Sequence, residues 1–177
     1  MKKLAALLLA AAGIALGSSS AWADFFAISA DLPVSYTADD TAADSVTGYK
    51  IGLSLPFFVG VAMENYTGTF NGSGSEPDVK VTNNLYDVFF NLPLPILNIG
   101  LGLGTGTASI DTGSTSYWKD ATLTQYFLTV GLPILVLFDV HVGYHVISGS
   151  ADPKPGLGAP KISLDGNMVS VGAKVGF

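Results

Sequence analysis

The stretch Gly166–Phe177, GNMVSVGAKVGF, decides how the rest of the chain is read. Asn167, Val169, Val171, Ala173, Val175 and Phe177 share one parity, and Met168, Ser170, Gly172, Lys174 and Gly176 share the other. Side chains alternate across a strand with period two, so this is a strand whose faces meet different surroundings. One face is small and apolar and finishes on an aromatic ring, whereas the other carries glycines, a serine and a lysine.

At the other end, residues 1–23 read MKKLAALLLAAAGIALGSSSAWA, with two lysines, an apolar run from Leu4 to Leu16 and Ala21-x-Ala23 before Asp24. That is the build of a cleaved secretory signal peptide, whose apolar run is too short to anchor in a bilayer. The mature domain is expected to span 24–177. It holds six lysines, no arginine and fourteen acidic residues, a net charge of −8. An acidic chain with no basic stripe cannot replace phosphate counterions, which sets nucleic acid aside as a partner. Cysteine is absent, so disulfides and thiolate metal sites are excluded.

The chain is 49% hydrophobic and contains 21 glycines, yet no run after the leader approaches the length of a spanning helix. Gly and Pro interrupt every apolar segment, and the recurring period is two. An exported chain of this kind can cross lipid only as a closed sheet, because only closure satisfies every backbone group there. Leu55-Pro56, Leu92-Pro93 and Leu132-Pro133 recur between strand patterns and read as three tight turns. The polar segments 35–46, 71–80, 111–120 and 149–160 read as four longer loops. Seven connections join eight strands, placed roughly at 24–34, 47–55, 58–70, 81–91, 96–108, 121–131, 137–148 and 161–177. The expected fold is all-β: an eight-stranded antiparallel up-and-down transmembrane β-barrel.

Short turns on one side and longer loops on the other resemble the small OmpA/OmpX-type outer-membrane barrels. The aromatics fit two girdles, with Phe25, Phe26, Phe57, Phe58, Phe89, Phe90, Phe138 and Phe177 on the turn side and Tyr36, Tyr49, Tyr66, Tyr117, Trp118 and Tyr126 on the loop side. The closing stretch itself is similar to the last strand of such barrels, in which alternate residues and a terminal aromatic are read by the barrel-insertion machinery. That resemblance implies an assembly signal at Val169, Val171, Ala173, Val175 and Phe177, and a place in the bacterial outer membrane among lipid and lipopolysaccharide.

Alternation places Lys50 inward on the second strand and Glu64 inward on the third. A hairpin centred on Phe57 makes them direct partners, a loop near Asp40 sets Asp31 opposite Lys50, and Asp87 falls near Glu64. Asp139, His141 and His145 face inward on the seventh strand, and Lys174 on the eighth. Eight strands enclose just enough space for side chains to fill, so these eight residues are expected to form a polar lumen network. Gly100, Gly102, Gly104 and Gly106 share the inward parity of the fifth strand. They mark either the wall of a small cavity for a slender ligand or the place where bulky residues opposite, such as Phe127 or Tyr66, lie; the second reading is favoured.

Two imidazoles four apart on a strand are roughly 13 Å apart at Cα and do not chelate one metal readily. Resemblance to outer-leaflet lipid-modifying barrels would imply either a His and Ser two apart on one strand face or a catalytic His in a loop. Here Ile147 stands two after His145, and no loop contains His. The expected function is therefore structural or surface-interactive, monomeric, with no catalysis, cofactor or metal. The alternative is a narrow conduit or a carrier of a small apolar ligand in the lumen, and a lipid-modifying enzyme ranks third. Phe177→Ser should lower the protein's level in the outer membrane and raise its degradation before insertion, with export unchanged. Immunoblots of fractionated cells check this, and unchanged assembly would remove Phe177 from the signal.

Overall fold

Eight long strands follow one another antiparallel: β1 (Ala27–Ala38), β2 (Ser45–Ser54), β3 (Val59–Phe70), β4 (Val79–Pro93), β5 (Asn98–Asp111), β6 (Ala121–Leu135), β7 (Phe138–Ala151) and β8 (Gly166–Gly176). The computed structural model describes residues 26–72, 77–94, 96–113, 116–135, 137–156 and 158–177. The predicted leader, Asp24, Phe25 and the loop acid Glu76 lie outside the described residues. Each strand pairs with the next, and β8 pairs with both β7 and β1, so the sheet closes into a barrel. Two-residue ladders at Thr41–Ala42 and Ile162–Ser163 extend the loop ends of β1 and β7.

Ladder partners followed from Ile28 run through Leu53, Val61, Val88, Leu103, Tyr126, Val146 and Asn167 and return to β1 at Thr37. This climb is the stagger that a closed, tilted barrel needs. The same row is a section of the outer wall. Below it the outward side chains are Leu, Ile, Val and Phe, exposed because no protein covers them. Above it, past Ile51 and Met63, they turn mostly to Thr, Ser and Asn. Outward Tyr49, Tyr86, Tyr126 and Tyr144 mark the change, and Phe26, Phe57, Phe58, Phe90 and Phe177 ring the turn end.

Three expectations are corrected. Leu132-Pro133 lies within β6, next to a register shift between Pro133 and Leu135, and the chain reverses after it. Proline at a strand end costs no ladder bond that an irregularity has not already given up. β1 continues beyond residue 34 to Ala38, because a bulge between Pro33 and Ser35 absorbs the missing proline N–H and flips the parity. Tyr36 therefore turns inward, as does Tyr66, which shares the parity of Glu64. Neither belongs to the girdle, and their rings meet edge to face at 5.3 Å inside the barrel.

The loop half of the lumen is a largely apolar plug, in which Asn83 is the one fully buried polar residue among the described residues. Tyr36, Tyr66, Leu85, Leu123, Ile147 and Met168 are fully enclosed there, and Leu164 caps them from the segment before β8. Leu164 is held by its backbone bond to Gly149 and by the Asp165 carboxylate, which accepts from the Gly149 N–H at 3.0 Å. Glycine is required at Gly106, where a Cβ would overlap the Asn84 carbonyl of the neighbouring strand. Gly106→Val should cost on the order of 1–3 kcal/mol in urea-dependent refolding into vesicles, while outward Thr107→Val should stay within about 0.5 kcal/mol. Equal effects would show that the strands are not packed so closely there.

Candidate functional site

The turn half of the lumen holds charge where the loop half holds hydrocarbon. Lys50 and Glu64 are direct ladder partners, as are Asp31 and Lys50, and Asp87 sits opposite Ala62. The Lys50 ammonium lies 2.9 Å from Asp87 Oδ2 and 3.7 Å from Glu64 Oε2. It also sits 3.3 Å above the centre of the Phe127 ring, a cation–π contact in a desolvated setting. Gln125 Nε2 donates to both carboxylates, at 2.7 Å to Asp87 and 2.9 Å to Glu64. His145 stacks on Phe127 with ring centres 5.0 Å apart, and its Nε2 lies 3.3 Å from Ser170 Oγ.

The predicted band resolves into two clusters. Asp31 stands opposite Lys50 in the ladder, but its carboxylate meets His141 Nε2 at 2.8 Å. The other nitrogen of His141 lies 3.3 Å from Asp139 Oδ1. Asp139 takes Lys174, its ladder partner, at 3.2 Å and accepts from Asn98 Nδ2 at 2.6 Å. A cavity of about 40 Å³, room for a few waters, lies among Lys50, Asp31, His141, Asp139 and Lys174 at the turn end.

The glycines make this packing possible. A Cβ at Gly102 would collide with the Phe127 ring, one at Gly104 with Asp87, and one at Gly100 with Thr129. Gly100, Gly102 and Gly104 are thus covered by side chains reaching across from β4 and β6, Gly106 lies against the β4 backbone, and of the four only Gly100 borders the cavity. Gly172 similarly leaves room for His141 and Asp31, and Gly143 for the contact between Ser170 and His145.

Ser170, His145 and Glu64 stand in the order of a nucleophile, a base and an acid, with 3.7 Å between His145 Nδ1 and Glu64 Oε2. Ser170 is 1% exposed and His145 0%, so no substrate carbonyl reaches the hydroxyl. Among the described residues no group of three or more His, Asp or Glu is placed to hold a metal. Sequence reasoning missed Gln125, Ser170 and Asn98. Their inward parity was readable, but a neutral side chain on that face gives no sign of which charge it serves. The predicted signal residues Val169, Val171, Ala173, Val175 and Phe177 lie along β8 and its end. Val171, Val175 and Phe177 are exposed on the outer wall, and the Phe177 ring packs on Phe26 at 6.4 Å.

The closed barrel fold has counterparts among solved structures. The chain is similar to neisserial surface protein A (15% identity, 86% of this chain and 97% of that one, TM-score 0.57) and to the outer membrane protein AlkL in lipid bilayers (16%, 87% and 90%, 0.56). The N-terminal β-barrel domain of Pseudomonas aeruginosa OprF is a third (12%, 85% and 97%, 0.52). The fold is that of the small eight-stranded outer-membrane barrels. No family model matches the chain, and no curated relative does.

Truncating one member of the first cluster strands the others. Lys50→Met leaves Glu64 and Asp87 without their lysine, sharing the Gln125 amide, and should destabilise by about 3–5 kcal/mol. Glu64→Gln, which leaves Lys50 with Asp87, should cost less. In urea-dependent refolding into vesicles, the double mutant should lose less than the sum of the two, and additive losses would show that the pair is not coupled.

Proposed function

We propose that the protein is an integral barrel of the bacterial outer membrane with a structural or surface-interaction role, delivered by a cleaved leader at 1–23 and assembled by the barrel-insertion machinery. The observation that carries this is the filled lumen inside an apolar wall. A conduit needs a continuous polar path, and the apolar plug under Leu164 interrupts it. A carrier needs a volume for its ligand, and the cavity among the lumen charges is about 40 Å³. Catalysis needs an accessible nucleophile, and the Ser170–His145 pair, the one such contact among the described residues, is sealed. The wall is left to meet lipid and lipopolysaccharide, and the loops to meet the outside.

The protein should stay with outer membranes through urea or carbonate washing and migrate differently on denaturing gels before and after boiling. In planar bilayers the purified protein should produce no conductance steps. Release by urea would return the apolar face to a soluble partner, and stable steps in salt would restore the conduit reading.

A further inference from the structure

The cations at the loop end are unevenly placed. Among the described residues outside the lumen, Lys119, Lys154 and Lys161 lie at one corner, and Lys80 stands apart at the start of β4. The corner is built by two loops zipped together: Lys119 N–H donates to the Asp152 carbonyl and Lys154 N–H to the Tyr117 carbonyl, each at 2.9 Å. Trp118 closes the zipper, its indole N–H donating to the Pro160 carbonyl at 2.9 Å. Lys161 lies 3.4 Å from Asp152, whereas the Lys119 and Lys154 ammonium groups make no ion pair among the described residues. The rest of the rim is acidic, with Asp39, Asp40, Asp44 and Asp78.

Directly below this corner, a groove of about 500 Å³ runs down the outer wall where β6 meets β7. Lys119 borders it together with the outward hydroxyls of Thr122, Thr124, Ser148 and Ser150, and the carboxylates of Asp120 and Asp152 flank its loop end. Thr124 bonds the Ser148 carbonyl at 3.5 Å, and the other three hydroxyls have no partner among the described residues. Thr124 stands two residues beyond outward Tyr126 on β6, and Ser148 four beyond Tyr144 on β7. Below the tyrosines the same wall is Leu128, Val130 and Val142, all exposed. Hydrocarbon, tyrosine, hydroxyl and ammonium thus follow in order up one face, and the hydroxyls point sideways rather than up.

We propose that this groove holds the phosphorylated saccharide headgroup of an outer-leaflet glycolipid. Lys119 on the groove wall meets phosphate with Lys154 standing by at the corner above, Thr122, Thr124, Ser148 and Ser150 meet sugar hydroxyls, and the apolar wall takes the acyl chains. The proposal rests on the membrane reading given above. A soluble glycan could use the charged corner and the hydroxyls but has no use for the apolar wall beneath them.

Trp118 is the sole tryptophan after residue 23 and reports on the corner directly. The mature chain, residues 24–177, refolded into phosphatidylcholine vesicles, is titrated with rough-type lipopolysaccharide while Trp118 emission is followed. A saturable shift is expected, at least tenfold weaker for Lys119→Glu/Lys154→Glu and for dephosphorylated lipopolysaccharide, and weakened also for Ser148→Val/Ser150→Val. All these positions are exposed, and the gel shift on boiling shows whether each variant is folded. An absent shift, a shift unchanged in the variants, or an equal response to phosphatidylglycerol overturns the site. Equal binding of the deacylated phosphosaccharide overturns the lipid assignment. Insertion with no response to lipopolysaccharide defeats the groove and leaves the barrel standing, whereas failure to insert defeats both.

Discussion

A sheet surrounded by hydrocarbon has no water to complete its edges, and the pairing of β1 with β8 removes both edges at once. Everything else follows from that closure. Eight strands bent round to meet enclose a space that side chains must fill, so inward positions cannot be chosen one at a time. Where Phe127, Asp87 or Gln125 reaches across, the facing residue on β5 is glycine. Where the missing N–H of Pro33 interrupts β1, a bulge restores the count, and Tyr36 enters the lumen as a result.

The filling has two kinds. Toward the loops it is apolar and resembles the core of a soluble protein, with edge-to-face tyrosines and a leucine cap. Toward the turns it is ionic, and each charge is met by an opposite one or by a donor. Replacing buried ion pairs with hydrocarbon is often no loss in stability, so the charges need another reason to persist. Register supplies one. A slip of one residue between β2 and β3 would turn either Lys50 or Glu64 outward into lipid and part it from the other, a penalty no apolar pair could impose. The ionic half thus specifies an alignment that the apolar half merely tolerates.

The strand count, the barrel and the Lys50–Glu64 partnership were legible because each rests on period two and hairpin arithmetic, which involve neighbours in sequence. The grouping of Asp31 with His141 was not, since those residues meet across the seam, where the stagger of the whole barrel decides who faces whom. Tyr36 was misplaced for a related reason: a single bulged residue reverses parity, and proline signals a break without saying on which side the extra residue falls. Leu132-Pro133 looked like a turn because Leu55-Pro56 is one, yet the same dipeptide serves equally at a frayed strand end.

The seam also has a kinetic meaning. Seven of the eight strand pairings join sequence neighbours and can form as short loops close, but Ala27 meets Gly176 only when nearly the whole described chain has been laid out. That contact carries the largest loop-closure entropy in the molecule and gives the fold a slow final step. Until then β1 and β8 each present an open row of donors and acceptors, flanked at the turn end by Phe26 and Phe177. Those two residues exchange backbone bonds once the ring shuts. The last pair to form therefore sits beside the aromatic end of β8, where a helper that holds one open edge while the other arrives would have most effect on the rate.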